Sequence, residues 1–283
     1  MMKDCMPSNS PYAGWCINLA SVSFLLLVVV PYGLWLLRGC SFFLPFISDF
    51  GLQGEIRVTF TIFIELVGLF FLFAAPQIWM KRTYVISMVS TSNIFSIIGH
   101  VINLFSFMSI VTVCVAVMIL PLFPWDVQLK GHLRCCFFLF NGGLVWLVSN
   151  MLLSACWRKG TFTSKAGLSS IFFFAASLIA IVLMAKFFKL ARKTDPIMFH
   201  GTNFIKMLHI AEKDFDSYCK AQKGWHEYWF VNCSALMEWI VLSCFVASVS
   251  AIHAQIQNSL ASLDVNCEPL KAPIKEAQVT PAS

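Results

Sequence analysis

The sequence predicts an all-α membrane protein: a bundle of six transmembrane helices with a structured first loop. Composition is the first reason. Of 283 residues, 58% are hydrophobic and 12% are charged, about half the roughly 25% charge of a soluble domain. Mean hydropathy is +0.76. A soluble domain of this size cannot hide so much apolar surface, so lipid must be part of the solvent. The second reason is segmentation. Six apolar stretches each approach or exceed the ~20 residues that a helix with 1.5 Å rise needs to cross ~30 Å of hydrocarbon. Third, the two-residue alternation of an outer-membrane barrel is absent, and backbone amides in lipid must be satisfied within the segment, which makes these stretches helices.

In chain order, residues 1–14 form an N-terminal tail and residues 15–253 a transmembrane domain. Its spans fall near 15–37, 58–80, 94–120, 135–156, 166–184 and 229–253. The first is too long for the 7–15-residue core of a signal peptide, its N-flank offers only Lys3 against Asp4, and no small-residue cleavage site follows; it is a retained span. The third is long enough to tilt. Between spans five and six lies the largest polar segment, 185–228. It continues helix five through KFFKLARK and then either lies along the interface as an amphipathic helix or folds as a cap on the bundle. Residues 254–283, with Pro269, Pro273 and Pro281, read as a disordered C-terminal tail. Trp15, Trp35, Trp79, Trp157 and Trp229 stand near span ends, as interfacial belts do.

The net charge of +6 reflects basic residues flanking spans, and no nucleic-acid partner is expected. Six spans put both termini on one side. Eight Lys and Arg fall in segments on that side and twelve on the other, eight of the twelve in 185–228. The positive-inside rule thus leans toward termini outside the cytoplasm. Cysteines number 11, so at least one is unpaired. Cys16, Cys114, Cys156, Cys233 and Cys244 lie in apolar runs, where Cys acts as a small hydrophobe. His132 with Cys135, and His209 with Glu212, lack further ligands at recognisable spacing, so no metal site is expected. No hydrolase elbow, phosphate loop, zinc-protease helix or dinucleotide fingerprint occurs, which argues against an enzyme and against a cofactor.

Polarity inside the spans marks the candidate site. Glu65 in span two, Glu238 in span six and His100 in span three are expected to face the bundle interior or a wet cavity, because an ionisable group in hydrocarbon is costly. Spans two and six cross in the same direction. At 1.5 Å per residue, Glu65 lies about 10 Å past Val58 and Glu238 about 14 Å past Trp229. The two carboxylates therefore share a depth, on the side where the first loop presents Asp49 and Glu55. Together these four acids form a polar-pocket or lipid-headgroup candidate; the alternative is a protonated carboxyl bonding helix to helix. In the loop, Pro45, Ser48, Asp49 and Gly51 mark a tight turn among aromatics, which reads either as a re-entrant cap or as a simple connector.

The run FLPFISDFG at Phe43–Gly51, followed by Glu55 and Phe60, resembles the first-loop signature of the damage-regulated autophagy modulators. These belong to a superfamily with the Frag proteins, which remodel GPI-anchor lipids, and the Sfk proteins, which regulate phosphoinositide kinase. Ser234-Ala235-Leu236-Met237-Glu238-Trp239 resembles the small-residue run ending in Glu-Trp in that family's last span. The chain has Gln53-Gly54-Glu55 where the family usually has Pro-Pro-Glu. The resemblance implies cytoplasmic termini, against the charge count. In that orientation Cys40 and Cys219 face a compartment that permits disulfides, and a pairing between them is expected. It further implies a non-enzymatic regulator in lysosomal or endosomal membranes. Such a protein would act through membrane lipids, another membrane protein or a peripheral kinase complex on autophagy, lysosomal traffic or phosphoinositide signalling. The plasma membrane is a further location, and the functional alternatives are a Frag-type factor in GPI-anchor remodelling, resident in the Golgi or endoplasmic reticulum, and a proton- or cation-coupled transporter. The last lacks an evident inverted repeat.

Overall fold

The computed structural model describes residues 12–40, 42, 45–52, 54–90, 92–157, 165–194 and 229–267. Among these described residues are six long helices: α1 (Tyr12–Leu37), α2 (Gly54–Val89), α3 (Asn93–Ile119), α4 (Trp125–Trp157), α5 (Lys165–Thr194) and α6 (Trp229–Cys267). Among the described residues there is no strand. All six helices are long and apolar enough to cross a bilayer. Their outer faces carry large exposed side chains such as Leu25, Phe105, Phe137 and Phe172, which lipid, not water, can accommodate. Consecutive helices pack on one another, α5 and α6 most extensively, and α6 also touches α1, α2 and α4. The result is an all-α six-helix bundle.

The helices outrun the apolar stretches that predict them. On the side away from the first loop, α2 continues past Met80 to Val89 and α6 past His253 to Cys267. The tail expected to be disordered from residue 254 is thus helical over its first part, where Ile256 and Leu260 are buried in the core. Hydropathy marks only the part of a helix that meets lipid, whereas packing extends it. Pro76 stands well inside α2, where a transmembrane helix tolerates the missing N–H. A non-helical residue, Gln128, sets the first turn of α4 apart from the rest. Tail residues 1–11 and 268–283, and 195–228 of the polar connection, lie outside the described residues.

α1 ends at a Schellman motif. Cys40 N–H donates to the Trp35 carbonyl at 3.2 Å and Gly39 N–H to Leu36 at 2.9 Å. Gly39 takes φ +74°, which only glycine adopts cheaply. A short 3₁₀ turn at Ile47–Gly51 follows, and then α2. The core has two parts. Trp35, Phe50, Phe60, Leu139 and Trp239 pack on the loop side, while Phe71, Ile110, Trp146, Val241 and Val249 pack deeper in the bundle. Trp35, expected in an interfacial belt, is fully buried instead, because the loop folds over it; Trp15 and Trp229 are exposed at span ends.

Close approach of α3 to its neighbours depends on two glycines. A Cβ at Gly68 of α2 would sit 3.2 Å from the Cys114 carbonyl, and one at Gly142 of α4 3.4 Å from the Ser109 carbonyl and 2.9 Å from Val113. Small residues let transmembrane backbones approach in this way. Gly142→Leu should therefore lower stability by about 1–3 kcal/mol through overpacking. Gly33→Leu, at a position with nothing within 4 Å of a new Cβ, should leave the thermal unfolding midpoint in detergent unchanged.

Candidate functional site

The site is built where the first loop enters the bundle. α6 presents two buried neighbours, Glu238 and Trp239. Ile47 N–H donates to Glu238 Oε2 at 2.8 Å, and Trp239 Nε1–H donates to the Pro45 carbonyl at 2.9 Å. Phe50 is wedged between Trp35 and Trp239, edge-on to each, with ring centroids 5.9 Å apart in both pairs. The loop braces itself as well. Asp49 is buried, and its Oδ2 accepts from Phe46 N–H at 3.0 Å while its own N–H donates back to the Phe46 carbonyl at 2.9 Å. This reciprocal cap accounts for the Asp at the third position of the turn. Gly51 lies against the Phe60 ring, which a Cβ would meet at 3.3 Å. The loop is therefore a cap folded into the bundle, with Pro45 supplying an acceptor, Ile47 a donor and Asp49 the internal brace.

At the feet of the loop, Glu55 forms an ion pair with Arg38 at 2.7 Å. Both side chains are largely exposed, so the pair contributes at most about 1 kcal/mol. Cys40 is disulfide-bonded; Cys219, its expected partner, lies outside the described residues.

Beneath the cap is a cavity of about 80 Å³. Its wall includes Ile47 and Ser48 of the loop, Phe24 of α1, Val67 and Phe71 of α2, Val113 of α3, Trp146 of α4, and Phe245 and Val249 of α6. Glu238 is the carboxylate in this otherwise almost wholly apolar lining. Cys136 of α4 also lines it, within electrostatic range of Glu238. Along α6 the lining extends from Glu238 to Val249, about 16 Å at 1.5 Å per residue.

The structure does not bring all four acidic candidates together. Glu65 is exposed on the outer face of α2. Ile64, Val67, Gly68 and Phe71 repeat at helical spacing and face the cavity, and Glu65 is one residue, about 100°, off that stripe. Glu65 and Glu238 share a depth but not a helix face, so the expected two-carboxylate pocket is replaced by one carboxylate engaged with the cap. His100 is half-buried, with Nε2 3.4 Å from Ser87 Oγ of α2, and His132 Nδ1 is 3.0 Å from the Phe123 carbonyl. Among the described residues, no cluster of His, Cys, Asp and Glu is arranged to hold a metal ion.

A second polar cluster, at the other end of α2, escapes the sequence reading. Arg82 is only 3% exposed and donates to Ser106 Oγ of α3 at 2.9 Å and to Asn150 Oδ1 of α4. Its guanidinium lies 5.1 Å over the Trp146 ring, whose Nε1–H donates to Ser248 Oγ of α6 at 3.2 Å. In sequence Arg82 is one of the charges flanking span two. The signal that points inward is the set of polar residues within spans three and four, Asn103, Ser106 and Asn150, all buried.

Fold and site together define an integral membrane protein whose first loop is held in the bundle by the Glu-Trp pair of its last helix. No protein-family model, curated protein or solved structure matches the chain.

The two α6 contacts hold one loop, so their loss should not be additive. Glu238→Ala leaves the Ile47 N–H buried without an acceptor and should cost about 1–3 kcal/mol. Glu238→Gln keeps an acceptor oxygen and should cost less, and Glu65→Gln should be neutral. Thermal unfolding in detergent reads all three. A Glu238→Ala, Trp239→Phe double variant should lose less than the sum of the single losses.

Proposed function

We propose that this protein is a non-enzymatic multi-pass membrane regulator of the kind its first-loop and Glu-Trp motifs resemble. It works by admitting the end of an apolar lipid chain, a few carbons long, to the cavity under the first loop and acts on autophagy, lysosomal traffic or phosphoinositide signalling. The carrying observation is the cavity itself: an almost wholly apolar space, closed on one side by the motif-bearing loop and set inside a lipid-solvated bundle. Apolar lining rejects ions and water and accepts hydrocarbon. It thus weighs against the reading as a proton- or cation-coupled transporter. Occupancy by a chain would be sensed at Ile47 and Ser48, which line the cavity and belong to the cap. Lysosomal or endosomal membranes are the proposed location, with both termini cytoplasmic.

The test is photocrosslinking of a diazirine-bearing phospholipid to the full-length protein in cells, paired with rescue of autophagic flux in cells lacking it. The expected result is labelling of wild-type protein in lysosomal or endosomal membranes, with rescue. Val113→Trp, which fills the cavity from α3, should lose labelling and rescue together while the protein still reaches those membranes. Undiminished rescue by an unlabelled variant would overturn the lipid mechanism. Golgi residence with altered surface GPI-anchor lipids would replace the proposal with GPI-lipid remodelling.

A further inference from the structure

We propose that Arg82 and Asn150 form a binding point for a phosphate group, carried by a phospholipid headgroup or free in solution, in the half of the bundle away from the first loop. The inference stands apart from the cavity reading and rests on an unbalanced charge. Arg82 is buried, and every partner it has among the described residues is neutral: Ser106, Asn150 and the Trp146 ring. A guanidinium keeps its proton in proteins, so the charge cannot be shed as a lysine's can. Hydroxyl, amide and indole supply dipoles but no counter-charge, and buried charges are ordinarily paired.

Two donors are also left over. Arg82 Nε and Asn150 Nδ2 are both buried without an acceptor. They belong to side chains bonded to each other, and an oxyanion is the acceptor that suits a guanidinium edge and satisfies such donors with charge-assisted bonds.

The experiment uses the full-length protein in phosphatidylcholine nanodiscs at constant ionic strength. The unfolding midpoint is followed against inorganic phosphate in one arm and against phosphatidic acid added to the bilayer in the other. A rise with phosphate identifies a soluble anion as ligand, and a rise with phosphatidic acid alone identifies a headgroup. Asn150→Asp places a carboxylate of the same shape against Arg82 Nη2. It should raise the midpoint without ligand and weaken the response about tenfold or more, since one charge-assisted bond is worth that much. Arg82→Lys, which keeps the charge but removes Nε, should weaken the response as well. The proposal is overturned if wild-type protein responds in neither arm, or if its response survives both substitutions.

Discussion

The architecture on the loop side turns on one hydrogen bond between residues 191 positions apart, from Ile47 N–H to Glu238 Oε2. A loop that leaves the aqueous phase brings backbone donors and acceptors with it, and hydrocarbon offers them nothing. Glu238 answers the donor, Trp239 answers the Pro45 carbonyl, and Asp49 answers Phe46 within the turn. With those groups satisfied, Phe50 can sit between two tryptophans, Trp35 can be buried, and the space beneath can remain apolar. The carboxylate that looks like an ion site in the sequence is first of all an anchor for backbone.

The six spans were legible because hydropathy and length respond to the solvent, which here is lipid, whereas the turn residues and aromatics of the first loop suited a cap and a simple connector equally, and only its contacts with α6 decide for the cap. Glu238 was legible as exceptional, being an acid in a span. What it binds was not, since nothing local in sequence joins position 238 to position 47. Glu65 shows the complementary failure. Depth follows from counting residues, but helical phase requires knowing which stripe faces inward. Between Ile64 and Phe71 all but Glu65 are apolar or glycine, so the pattern gives no phase. Arg82 was hidden for a related reason: a cation just beyond an apolar stretch reads as a membrane flank, and only the continuation of α2 to Val89 turns it into the bundle.

The two halves of the bundle handle buried polarity in opposite ways. Near the first loop, a potential negative charge meets a backbone donor, and the lining around it is almost wholly apolar. In the far half, a fixed positive charge is surrounded by neutral groups with donors to spare. Trp146 links the two regions, since it lines the cavity and also carries Arg82 on its ring. A rearrangement of that indole would alter both environments at once.

The separation between Ile47 and Glu238 also has a consequence in time. At ~5–20 residues per second of synthesis, about 10–40 s pass between the appearance of the loop and the appearance of its anchor. During that interval α1 and α2 can already be inserted while the loop's backbone still has water for a partner. The cap therefore closes last, after the sixth helix has entered the membrane. A chain that stops short of that helix leaves an open, hydrated loop, and this gives quality control a visible difference between an unfinished molecule and a finished one.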